Sequence, residues 1–129
     1  MNNATKAINR FAARETRCPG ARSLAREAKR AAGRPSKEAL GMLDRAQAKA
    51  RRLDAMGEQD WALFRAMLTE IMLMKVKQWL VSEGYGARAW EHGMDVAREA
   101  ALAGKPLADA WRAGVNAGVE GVAPGKEDV

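Results

Sequence analysis

The sequence predicts an all-α protein: a compact bundle of about four core helices with a basic helical N-terminal arm. Three observations carry that reading. Apolar residues recur at three- and four-residue steps through most of the chain, as one face of a helix requires. No stretch alternates apolar and polar residues in the manner of a half-buried strand. Gly and Pro fall between the periodic segments, at Pro19-Gly20, Gly33, Pro35, Gly57, Gly84, Gly86, Gly104 and Pro106, where helices stop and start.

Asn2, Asn3 or Thr5 offers an N-cap for the first helix, whose modest stripe is Ile8, Phe11 and Ala12. Cys18-Pro19-Gly20 is expected to stop it. Residues 21–32 form a second short helix. Leu24, Ala25 and Ala28 lie on one side, and Arg22, Arg26, Lys29 and Arg30 make a continuous basic face on the other. A short helix with so little apolar surface is marginal alone. The arm is therefore expected to be mobile, or ordered only by a partner.

Ser36 is the expected N-cap of a third helix running to about Met56. Its inner positions are Leu40, Leu43, Ala46, Ala50 and Leu53, and its other faces carry Arg45, Lys49, Arg51 and Arg52. The next segment is the most strongly apolar. Trp61, Phe64, Leu68, Ile71, Met72 and Trp79 recur at helical spacing, and Leu63, Met67, Met74, Val76 and Leu80 carry the apolar surface around the helix. Such a helix is either central or shared with another subunit, so the first six residues are also candidates for a protein interface. A fifth helix spans 87–103 with Trp90, Met94, Ala97 and Ala101 inward. A sixth has Leu107, Trp111, Val115 and Gly118 as its inner stripe. The expected domains are a basic arm (1–35), a helical core and oligomerisation domain (36–118) and a disordered tail (119–129).

Charge is unevenly distributed in this 129-residue chain of net charge +6. Residues 1–52 hold 14 Lys and Arg against 4 acids, a balance of +10; the remainder holds 8 against 12, a balance of −4. Asymmetry of this kind suggests a polyanion-binding segment joined to an ordinary folded body. Arg predominates in the basic part, and its planar fork suits phosphate better than a point charge does. Only Phe11 interleaves with these cations, which argues against base-stacking recognition of single strands.

Catalytic material is sparse. Cys18 is the single cysteine, so neither an internal disulfide nor a Cys-based zinc site is available, which fits a cytoplasmic protein. His92 is the single histidine; it shares a helix face with Asp95 and Glu99, and ordinary surface ion pairs account for that spacing. No Gly-rich phosphate loop follows a strand. The expectation is a non-enzymatic protein that uses no cofactor and no metal. No apolar run is long enough to span a bilayer, so no membrane partner is expected.

Two short resemblances bear on function. Gly33-Arg34-Pro35, with Lys29-Arg30 before it and Lys37 after it, resembles the core of an AT-hook, in which an extended Gly-Arg-Pro carries Arg into a narrow minor groove. Ala32 stands where that motif has another Arg. Residues 33–38 (Gly-Arg-Pro-Ser-Lys-Glu), followed by Leu40, Leu43 and the apolar helix around Trp61 to Leu80, also resemble tailed-phage small terminase subunits. This resemblance covers about a third of the chain. It implies a homo-oligomer that presents basic N-terminal segments to viral DNA and assists packaging. Residues 6–32, with Pro19-Gly20 at the turn, are the nearest approach to the helix-turn-helix of that family.

The leading expectation is an oligomeric, phage- or mobile-element-type accessory protein that grips double-stranded DNA phosphates through Arg22, Arg26, Lys29, Arg30, Arg34 and Lys37. The alternative is a small phage-type inhibitor or adaptor whose basic helices dock on a host protein complex.

Overall fold

A computed structural model describes residues 2–52 and 56–121. Six helices and no strand occur among them: α1 (Asn3–Ala12), α2 (Ala21–Ala32), α3 (Ser36–Ala50), α4 (Glu58–Ser82), α5 (Ala87–Leu102) and α6 (Leu107–Glu120). The protein is all-α. It falls into two compact units, Met1–Ile71 and Met72–Val129, and the division lies inside α4.

In the first unit, Asn2 caps α1, its Oδ1 accepting from the Thr5 N–H at 2.7 Å. Ala4, Ile8 and Phe11 are buried, and α1 ends at Ala12, before the Cys18-Pro19-Gly20 stop. The carboxylate of Glu15 then serves the start of α2 from outside the helix, accepting from the Arg22 N–H at 2.6 Å and the Gly20 N–H at 3.3 Å. These two backbone bonds hold the Glu15 pKa below its ordinary value. Helix α2 buries Leu24 together with Ala21, Ala25, Ala28 and Ala31, whose small side chains let it pack against both α1 and α3.

Ser36 is not the cap of α3. Pro35 takes that position in an extended conformation, and its carbonyl accepts the Ala39 N–H at 2.8 Å, which makes Ser36 the first helical residue. Arg51 is the C-cap. Leu53 and the rest of 53–55 lie outside the described residues.

Phe11 is fully buried, its ring 5.2 Å from that of Phe64 on α4, and Trp61 lies 5.7 Å from Phe64 on the other side. Beside this cluster the Arg14 Nε donates to Asp60 Oδ1 at 2.6 Å, with both side chains largely buried. The first two helices thus contribute core residues of their own unit.

The second unit is built on close backbone approach. A Cβ added at Gly114 on α6 would lie 2.6 Å from the Ala97 Cβ and 2.6 Å from the Gly93 carbonyl oxygen on α5. Gly118 packs similarly against Ala89 and Leu80. Trp111 meets Trp79 edge to face at 6.3 Å, and the Lys77 ammonium sits 4.2 Å from the Trp90 ring centroid. Helices α4 and α5 end alike. Gly84 (φ +88°) and Gly104 (φ +87°) reverse the chain, with Tyr85 N–H to Leu80 O at 2.9 Å and Lys105 N–H to Ala100 O at 3.2 Å. Pro106 holds the N-cap position of α6. Residues 119 and 120, assigned to the tail by sequence, are the last of α6, and residues 122–129 lie outside the described residues.

Helix α4 is apolar around its circumference and buried to match. Phe64, Met67, Leu68, Ile71, Met72, Leu73, Val76 and Leu80 have no exposed surface. Lys75 is buried among the apolar positions of this helix, its ammonium donating to Gln78 Oε1 at 3.1 Å, and burial pushes its pKa below the ordinary lysine value. No helix among the described residues is long and apolar enough to cross a membrane.

Candidate nucleic-acid interface

Ten of the 15 cations of the first unit sort into three groups by what they touch. Two turn inward. Arg14 holds Asp60, and Arg65 donates to Gln47 Oε1, with desolvation lowering its pKa against the opposing pull of nearby Asp44. A second group has surface partners. Arg34 Nη1 lies 3.7 Å from Glu38 Oε1, Lys49 Nζ lies 3.0 Å from Glu27 Oε1, and the Arg51 guanidinium stands 6.0 Å from the Trp61 ring centroid. Exposed pairs of this sort hold their partners weakly.

The third group is exposed and open. Arg22, Arg26, Lys29 and Arg30 lie on the solvent side of α2, opposite Leu24, Ala25, Ala28 and Ala31. Among the described residues no carboxylate forms an ion pair with any of these four or with Lys37. The arrangement follows from helix geometry. Steps of three and four residues place the cations on one face, and the buried positions opposite them are Leu24 and alanines. Four of the six residues nominated from the sequence therefore share one face. Arg34 and Lys37 sit beyond it, at the α2–α3 connection and in the first turn of α3.

The AT-hook likeness does not survive the backbone geometry. Gly33 N–H donates to Arg30 O at 3.2 Å and Arg34 N–H to Ala31 O at 3.0 Å, so these residues close α2 as a turn. An extended Gly-Arg-Pro strand is what the groove-entering motif needs. The helix-turn-helix likeness also departs from pattern, because residues 13–20 separate α1 from α2 where that motif has about three or four residues.

The six residues read as candidates for a protein interface differ in exposure. Phe64, Leu68, Ile71 and Met72 are wholly buried within one chain, and only Trp61 and Trp79 keep partial exposure. The large apolar residues exposed among those described are Val81 and Leu102, at 52% and 81%.

Other reactive groups are quiet. Cys18 is buried, and desolvation, with Asp60 and Glu15 nearby, pushes its thiol above the ordinary pKa, which suppresses the thiolate. His92 is exposed, and no group of three or more His, Cys, Asp or Glu among the described residues is placed to hold a metal ion.

Sequence reasoning missed the inward cations and the Glu15 cap. Asp60 follows the Gly57 break as an unremarkable helix-start acid, and nothing in its local pattern points to Arg14, 46 positions away. No protein-family model, curated protein or solved structure matches the chain.

Proposed function

We propose that this protein is a non-enzymatic nucleic-acid-binding accessory protein that engages the phosphates of double-stranded DNA through the outer face of α2. One observation carries the reading: Arg22, Arg26, Lys29 and Arg30 project together from a helix whose opposite side is locked into the core, with no carboxylate paired to them among the described residues. Cations presented from a fixed platform lose less conformational entropy on binding than cations on a floppy segment. Each phosphate they neutralise releases condensed counterions, which drives association. The contacts position the protein on the duplex rather than read its bases.

A role in DNA packaging is the finer form of this proposal, and it rests on the resemblance to small terminase subunits. That form also requires self-assembly. Among the described residues, Val81 and Leu102 are large exposed apolar side chains that an assembly surface could use.

The test is a titration of a short mixed-sequence DNA duplex at increasing salt, followed by fluorescence anisotropy. The four α2 cations alone predict a slope at least as steep as about −3.6 in log affinity against log salt. A protein that ignores duplex at low salt, or binds it with a flat salt response, does not have this function.

A further inference from the structure

Helices α2 and α3 enclose a groove of about 180 Å³ lined by Glu27, Arg30, Met42, Arg45, Ala46 and Lys49. Three of its six residues are cations and one is an anion. Arg30 belongs both to this groove and to the outer face of α2, so the basic surface of α2 continues over its edge onto α3. Arg45 and Lys49, one helical turn apart on α3, are exposed and meet Arg30 across the groove. Met42 and Ala46 supply the apolar part of its lining.

Resting on the reading of α2 as a phosphate-binding face, we propose that this groove is a second phosphate subsite, taking a backbone phosphodiester of the same duplex between Arg30, Arg45 and Lys49. Glu27 is its internal competitor. In the free protein the Glu27 carboxylate occupies the Lys49 ammonium at 3.0 Å, standing where a phosphate oxygen would otherwise sit. Both side chains are substantially exposed, at 56% for Lys49 and 35% for Glu27, so the pair is weak enough for an incoming phosphate to displace. The pairing also keeps a cluster of cations from repelling itself when no ligand is present.

A competitor of this kind gives the proposal a distinctive signature: removing one negative charge from the groove should tighten binding, and removing two positive charges should weaken it. The experiment compares wild type, Glu27→Gln, Arg45→Gln/Lys49→Gln and Arg22→Gln/Arg26→Gln on the same duplex by anisotropy at several salt concentrations, with circular dichroism to verify folding. Glu27→Gln is expected to bind about threefold more tightly, and the Arg45/Lys49 variant roughly tenfold more weakly with a salt slope smaller by about 1.8. Should the Arg22/Arg26 variant lose affinity while both groove variants match wild type, the subsite is wrong and the α2 face stands. Should wild type itself fail to bind duplex, the reading beneath the subsite fails with it.

Discussion

The two units of this chain solve the same packing problem with different side chains, and the difference shows in what their surfaces are left to do. Residues 1–71 join helices through Phe11, Leu24, Leu43 and Phe64, and hold 15 basic against 8 acidic residues, a balance of +7. Residues 72–129 join α5 to α6 through Gly93, Gly114 and Gly118, and hold 7 basic against 8 acidic residues, a balance of −1. On α6 the Arg112 guanidinium is already matched, one turn away, by Asp109 at 3.1 Å. In the first unit, no carboxylate among the described residues forms an ion pair with Arg22, Arg26, Lys29 or Arg30. Net charge alone would describe both units as parts of one basic protein; its location separates a surface suited to a polyanion from a nearly neutral one.

Substitutions that break the two kinds of packing should have distinguishable costs. Phe11→Ala removes a wholly buried ring from contact with Phe64 and should cost about 3–5 kcal/mol in urea-induced unfolding. A loss below about 1 kcal/mol would mean that α1 contributes little to the first unit. Gly114→Ala tests the second unit. Its added methyl meets the Gly93 carbonyl and the Ala97 Cα and Cβ, which are backbone or rigidly attached and unable to swing aside. The expected net loss is about 2 kcal/mol, since overpacking outweighs the gain of about 1 kcal/mol in helix propensity. An unchanged or raised melting temperature would show that α5 and α6 are free to separate.

A smaller effect, of opposite sign, is expected at Lys75. Its folded pKa lies below the ordinary 10.5 because burial disfavours the ammonium. Lys75→Met should therefore stabilise the protein by about 1 kcal/mol near neutral pH. The folded state releases this proton before the unfolded state does, so between the folded pKa and 10.5 the unfolded chain binds more protons and wild-type stability rises with pH. The advantage of the variant should shrink over that interval. A pH-independent difference between the two proteins would assign the effect to packing instead of charge.

How far these features could be read from sequence depends on whether they are local. Helix α2 was legible to the residue, because Gly20 and Gly33 bracket it and Ala and Arg divide cleanly between its faces. The start of α3 was misplaced by one residue, since a serine beside a proline looks like a cap until the proline carbonyl is seen to accept the first helical bond. The four open cations of α2 were legible for the same reason as the helix. Arg45 and Lys49 were visible as basic residues but not as part of a site, because their significance comes from the pairing of α2 with α3. The buried face of α4 was ambiguous in principle: a helix apolar all round fits a core and a subunit interface equally well, and only packing against other helices decides. The Arg14–Asp60 and Glu15 contacts depend on chain reversals that no periodicity encodes.

The central claim is that the position of charge, and not its total, makes the duplex-binding surface. Two variants of equal net charge test it directly: Arg22→Gln/Arg26→Gln/Lys29→Gln/Arg30→Gln in the first unit, and Lys77→Gln/Arg88→Gln/Arg98→Gln/Arg112→Gln in the second. At a single low salt concentration the first should lose roughly a hundredfold or more in affinity for duplex DNA, and the second should stay within about threefold of wild type. Equal losses in the two variants would contradict the account.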